Sequence, residues 1–322
     1  MISKNGIREP HPDWRLHAAL LFVQVTFGAF HVFGKGLLSQ LPPLAIVATR
    51  SLISMPLLLV LALRVDRSIP PPRDLARFAI LGFLGIFANQ LLYVFGLQMT
   101  SAINAAIIMP SIPVFVALLA WTTGAEPMTR MKGSGVVLAV AGALAILDPS
   151  RLTHASGSLL GNVLLLGNCL VYALYLVLQR DLLLRYHPLT VVSWAYGFGG
   201  LGILAVSAPT LLRTDYTALS TGGWLSLAYI AVIPSGVNYA LNSWAMVRSS
   251  PALVATYTTL QPVAAATLAI LLLGEQANWH EGLGFALIIG GLLCVSRAPS
   301  RPSHGKDIAP PRSRVETIAG SD

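Results

Sequence analysis

SIPVFVALLAWTTGAEPMTRMKGSG, residues 111–135, returns 149 positions later as LQPVAAATLAILLLGEQANWHEGLG, residues 260–284. In that register Pro113-Val114 meets Pro262-Val263, Glu126 meets Glu275, and Gly133 and Gly135 meet Gly282 and Gly284. Extending outward, Gly142 meets Gly291 and Asn89 meets Asn238. Apolar sequences match by chance at Ala, Val and Leu. Chance does not align a proline, a glutamate and paired glycines without a gap, so the chain reads as an internal duplication.

Composition says where the duplication resides. The 322 residues are 55% hydrophobic and 11% charged, against roughly 25% charged in a soluble domain. Uncharged stretches long enough to cross a bilayer recur throughout. Hydropathy and turn residues divide them into ten expected spans, near 16–38, 44–63, 76–97, 101–122, 131–148, 157–180, 188–208, 222–246, 250–273 and 279–297. With a cytoplasmic N-terminus, 17 of the 21 Lys and Arg residues fall on the cytoplasmic side and 3 outside, with Arg50 inside a span. That asymmetry is the positive-inside pattern, and it places both termini in the cytoplasm and the protein in the inner (plasma) membrane. It also gives the formal charge of +8 a use other than nucleic-acid binding.

The expected organisation is a cytoplasmic segment at 1–15, a first repeat at 16–148, a loop at 149–156, a second repeat at 157–297 and a disordered tail at 298–322. The first residues lack the apolar core of a signal peptide, so the first span is read as retained. Cys169 and Cys294 lie within apolar spans, with no CxxC or Cys/His cluster to suggest a metal. Five spans per repeat, an odd number, turn the second copy upside down. The predicted fold is therefore all-α and membrane-embedded, ten transmembrane helices forming two inverted five-helix repeats around a central cavity, the architecture of many secondary transporters.

The prolines follow from that architecture. A proline inside a helix costs about 3 kcal/mol or more, and a freed carbonyl at membrane depth is tolerable only against protein or a watery cavity. Pro113 and Pro262 occupy equivalent spans and Pro110 adds a break in the first copy. These three are the candidate gating residues, although transmembrane helices also carry proline without any such role.

Several of these stretches resemble the EamA-like ten-helix members of the drug/metabolite transporter superfamily. The resemblance rests on TSAINAAIIMPSIPVFVALLAW and KGSGVVLAVAGALAIL in one half and SSPALVATYTTLQPVAAATLAILLLGE and EGLGFALIIGGLLCV in the other. FHVFGKGLL and VYALYLVLQRDLL look like matching helix ends, and Arg50 in VATRSLISMPLLL matches the arginine usual in the second helix. Ala125-Glu126 departs from the usual Gly-Glu, which Gly274-Glu275 keeps. The resemblance implies a basket in which helices one, three, four, six, eight and nine line the cavity. It also implies kinship with YddG-type bacterial amino-acid exporters. The lysine-arginine clusters of the sugar-phosphate branch are missing.

Spacing alone marks polar stripes on those same spans. Gln24, Gly28, His31 and Lys35 recur at helical intervals, as do Asn168, Tyr172, Tyr175 and Gln179. Asn89, Gln90 and Tyr93 mark span three, Asn238, Tyr239 and Asn242 span eight, and Tyr257 and Gln261 span nine. Intramembrane polar groups are functional candidates, or else join helices at about 0.6 kcal/mol per hydrogen bond. Amides beside aromatics suit a solute with an apolar body and polar ends.

The sequence places no Asp or Glu in the hydrocarbon part of a span, so a carboxylate proton relay is not expected. His31 titrates nearest neutral pH; it carries a proton or, more simply, hydrogen-bonds in its neutral form. Lys35 is expected to snorkel outward, Arg50 to tie helix ends or carbonyls, and Glu126 and Glu275 to serve the helix N-termini of spans five and ten.

A membrane enzyme would need a nucleophile–base group, paired carboxylates or a metal cluster, and none is present. A receptor or scaffold would need larger soluble segments. The expected function is a secondary transporter that exports or facilitates passage of small amphipathic metabolites, amino acids first, by alternating access. Drugs, nucleosides and sugars are the alternatives. The expected partners are a small-molecule substrate and membrane lipid, for a monomer with no cofactor, metal or nucleic acid.

Overall fold

A computed structural model describes residues 14–66, 70–122, 128–147, 157–238, 241, 245, 257 and 260–297. The N-terminal segment up to 13, the loop at 149–156, the tail from 298, Glu126, Tyr239 and Asn242 lie outside the described residues. Among those described, every regular element is helical. α1 (Trp14–Leu37) and α2 (Pro43–Val65) are separated by a short turn ending in Pro42-Pro43. Proline serves there because the first turn of a helix does not use its N–H. α3 (Pro72–Gly82) opens in the same way and passes through a π-helical stretch, Phe83–Ala88, into α4 (Asn89–Met99). Ser101 caps α5 (Ala102–Ile108) by accepting the Asn104 N–H, and a 3-10 turn at Met109–Ser111 leads into α6 (Ile112–Thr122). α7 (Arg130–Leu147) follows.

The second half contributes α8 (Gly157–Leu178), the single turn α9 (Arg180–Leu183) and α10 (Pro188–Arg213). α11 (Thr221–Val232) runs into a second π-helical stretch, Ile233–Val237. α12 (Leu260–Leu273) and α13 (Trp279–Arg297) complete the described chain. Among the described residues six stretches are long and apolar enough to cross a membrane, counting α3–α4 and α5–α6 as one each, and α12 and α13 are shorter apolar helices. Val137, Val140 and Leu144 expose one apolar face of α7, and Leu52, Leu59 and Leu63 one face of α2. Water penalises such faces and lipid does not, which is the expected dress of a membrane bundle.

Small residues set how closely the helices approach. A methyl group on Gly28 would lie 2.9 Å from both the Gln261 carbonyl and the Ala265 nitrogen, so α1 and α12 cross almost backbone to backbone. Methyls on Gly135 and Gly142 would meet the carbonyls of Gly291 and Gly284 at 2.7 and 2.8 Å. As the index rises along α7 it falls along α13, so these two helices run antiparallel. Gly135 and Gly284 are repeat equivalents, as are Gly142 and Gly291, so each contact is the symmetry mate of the other. That is the signature of an isologous, two-fold contact.

Both π-helical stretches also fall at equivalent positions, since Phe83–Ala88 shifted by 149 residues overlaps Ile233–Val237. One buried apolar cluster joins α1, α4, α5, α8, α12 and α13 around Leu97, Ile103, Leu165 and Ile288. A second joins α2, α3, α8 and α10 around Leu58, Phe78, Val191 and Ile203. Near α9, Asp74 accepts hydrogen bonds from Arg185 and Tyr186, each at 2.7 Å, and the bond to the Asp74 carboxylate holds the Tyr186 hydroxyl above its usual pKa.

Candidate functional site

Where the helices lose their regular period, they leave a cavity of about 370 Å³. Its walls come from both halves. α1 supplies Phe27, Phe30 and His31, and the first π-helical stretch with α4 supplies Gly85, Asn89, Gln90 and Tyr93. Pro110 and Pro113 flank the break between α5 and α6, while α8 brings Asn168 and Tyr172. Pro234 and Ser235 come from the second π-helical stretch, and Gln261 from α12. A π turn shifts the side chains after it and leaves backbone groups without their usual partners. Just after the first π-helical stretch, the Asn89 carbonyl accepts from the Asn168 side chain at 2.7 Å. At the other break Pro113 offers no N–H, and the Met109 carbonyl accepts from Ile112 instead.

A hydrogen-bonded chain crosses one wall. Gln261 Nε2 donates to His31 Nε2 at 3.2 Å, and His31 Nδ1 lies 2.8 Å from the Tyr93 hydroxyl. With Nε2 accepting, the imidazole is neutral and Nδ1–H donates, so the Tyr93 hydroxyl keeps its own proton to offer elsewhere. On another wall Gln90 Nε2 donates to the Tyr196 hydroxyl at 2.9 Å. Gln90 Oε1 is buried without a partner.

The stripes read from spacing divide on inspection. His31, Asn89, Gln90, Tyr93, Asn168, Tyr172 and Gln261 line the cavity, together with Pro110 and Pro113. Gln24 is buried outside it. Asn238 is fully buried and accepts from the Thr26 hydroxyl at 3.0 Å, tying α1 to the second half. Tyr175 stacks on Tyr172 at 5.5 Å, beside Gly85. Gln179 sits at the α8–α9 junction, Tyr257 pairs with His17 at 2.6 Å, and Pro262 is buried within α12.

Three charged residues depart from expectation. Lys35 does not snorkel free, because its ammonium donates to the carbonyls of Leu97, Gln98 and Thr100 at the end of α4. Glu275 accepts from the N–H groups of Ala102 at 2.8 Å and Ile103 at 3.1 Å, so it caps α5 in the fourth span rather than the tenth. The start of α13 is served instead by Glu281, which accepts from the Asn278 N–H at 2.8 Å. Arg50 belongs to the cavity wall rather than to any helix end. Its guanidinium carbon lies 4.9 Å over the Phe30 ring, and among the described residues its hydrogen bond is a long one of 3.4 Å to the Ser235 hydroxyl. Sequence reasoning also missed Phe27, Phe30, Tyr196 and Ser235. Tyr196 and Ser235 follow the apolar pattern of their spans too closely to stand out, although the Pro234 beside Ser235 was a visible sign of a break.

An all-helical protein with apolar faces turned outward and a polar, aromatic cavity within has the build of a multi-pass membrane transporter. The EamA-like transporter family matches it twice, over residues 15–148 and 159–297, and the chain belongs to that family of the drug/metabolite transporter superfamily. It is 29% identical over 320 residues to Protein WALLS ARE THIN 1 of Arabidopsis thaliana, covering 87% of this chain and 82% of that one. An uncharacterized transporter of Archaeoglobus fulgidus is 26% identical over 282 residues, covering 86% and 96%. The uncharacterized transporter YetK of Bacillus subtilis is 22% identical over 290 residues, covering 89% and 88%. A crystal structure superposes with a TM-score of 0.58 over 87% of this chain and 96% of that one, at 18% identity, which speaks for the fold alone. The chain is thus a transporter-family protein and not an enzyme.

Proposed function

We propose that the protein is a ten-span secondary transporter of two inverted five-helix repeats, working as a monomer in the inner membrane with both termini cytoplasmic. It carries small amphipathic metabolites, amino acids being the first class to try, outward by alternating access. The carrying observation is a cavity bounded by helix breaks from both halves, with the two π-helical stretches at repeat-equivalent positions. Two unsatisfied buried groups, Arg50 Nε and Gln90 Oε1, belong to residues of that wall. The guanidinium and the amide side chains of the wall suit a solute with polar ends, with aromatic rings to hold its body.

The two-fold contact of α7 with α13 supports the inversion, and the weakness of helices at π turns and prolines supports their bending during exchange. The test is uptake of a labelled amino-acid panel into proteoliposomes, with and without a pH gradient, by the wild type and Gln90→Ala. Saturable uptake lost in the variant is the expected result. Absence of flux for amino acids, drugs, nucleosides and sugars alike, from folded protein, rules transport out.

A further inference from the structure

Among the described residues lining the cavity there is one permanent charge, the Arg50 guanidinium, and no Asp or Glu. A cation inside a membrane protein is costly unless paired. Arg50 has no salt-bridge partner among the described residues, and its Nε is buried with no hydrogen bond. The guanidinium carbon lies 4.9 Å over the Phe30 ring, a cation–π contact that uses none of its N–H donors. The fork of those donors matches a carboxylate in two parallel bonds. Phe30 in turn stacks on Tyr93 with centroids 5.1 Å apart, so an apolar wall begins beside the charge.

We propose, resting on the transport reading above, that Arg50 anchors the substrate's carboxylate and that the cavity is selective for organic monocarboxylates with an apolar or aromatic body. The carboxylate supplies the missing counter-charge, and the Tyr93 hydroxyl, free to donate, is available as a second polar contact. The body lies along Phe27, Phe30 and Tyr172. No carboxylate among the described lining residues neutralises an ammonium, so a substrate's amino group is dispensable. An amine lacking the carboxylate brings a second positive charge into a cavity with no negative one, and it is excluded.

Three probes share one body and differ only in charge: 3-phenylpropionate, phenylalanine and 2-phenylethylamine. Uptake of each is followed in proteoliposomes, with binding followed by thermal shift of the purified wild type, Arg50→Gln and Arg50→Lys. The acid is expected to bind and move at least as well as phenylalanine, and the amine not at all. Arg50→Gln should weaken the acid about ten- to a hundredfold, the value of a lost charge-assisted bond. Arg50→Lys should keep the order of the three probes with weaker binding, because it retains the charge and loses the fork. The ranking on wild-type protein decides the matter even where Arg50→Gln fails to fold. Amine flux equal to acid flux, phenylalanine flux without acid flux, or unchanged acid binding in folded Arg50→Gln each overturns the proposal while leaving transport standing. Failure of every solute class to move overturns the transport reading itself.

Discussion

An ammonium 35 residues into the chain meets three backbone carbonyls at the end of α4, and a carboxylate at 275 meets two N–H groups at the start of α5. Both charges bracket the same turn, Thr100-Ser101, and each has the sign that its helix end favours. Together they fasten α1 and the α12–α13 loop to the joint between α4 and α5. Glu275→Gln keeps the shape and loses the charge, so it should destabilise by about 1 kcal/mol, the usual value of a helix cap. A lower melting midpoint in detergent at unchanged substrate affinity would show it; an unchanged midpoint would argue against the clamp. The spacing of Gln24, Gly28, His31 and Lys35 revealed a special helix face but could not assign its duties. His31 faces the cavity, Gly28 permits a helix crossing, Gln24 is buried with its side-chain oxygen unpartnered and Lys35 caps a neighbouring helix. Side-chain periodicity reports direction; the partner depends on what the opposite helix presents. Arg50 was legible as a charge in a span, and its lack of a counter-ion became visible only once the second half was folded against it.

Among elements, the glycines of the repeat separate into two kinds that the sequence alone leaves together. Gly133 and Gly135 both recur in the second copy, yet a methyl on Gly135 would press into Gly291, while one on Gly133 meets nothing within 4 Å. Gly133→Ala should therefore be neutral or stabilise by up to about 1 kcal/mol through helix propensity. Gly28→Val should force α1 away from α12 and cost about 1–3 kcal/mol, the range for overpacking. It should also lengthen the His31–Gln261 contact and so weaken solute binding. Melting midpoints of the two variants, read side by side, check the contrast; equal destabilisation would mean that the close crossing of α1 and α12 is not what the glycine provides. The π-helical stretches escaped the sequence reading for a related reason. One extra residue in a turn displaces the apolar pattern too little to register over so short a stretch, where Gly85 and Pro234 are among the few visible marks.

At the level of the whole molecule, duplication and a membrane-embedded helical bundle were legible because they rest on long-range repetition and on composition. Among the described residues six helical stretches, two of them built from consecutive helices, are long and apolar enough to cross, and the shorter α12 and α13 belong to the second half. What the solute carries across bears on how such a protein is driven. With Arg50 as the carboxylate anchor and no carboxylate relay in the cavity, a cycle moves one net negative charge outward. A membrane negative inside assists that step by about 2.3 kcal/mol per 100 mV, about fiftyfold in the equilibrium ratio. Neither a bound nucleotide nor a proton is needed. Potentials set across proteoliposomes with potassium and valinomycin test this directly, because the final accumulation ratio does not depend on which way round the protein inserts. 3-Phenylpropionate should accumulate in vesicles made positive inside and be depleted from vesicles made negative inside, while the steady level of phenylalanine, a net-neutral solute, stays the same. If the acid's ratio ignores the potential and follows the pH gradient, a proton travels with it. His31, buried between Tyr93 and Gln261, is then the group to substitute, and the neutral hydrogen-bonding role drawn from its geometry is wrong.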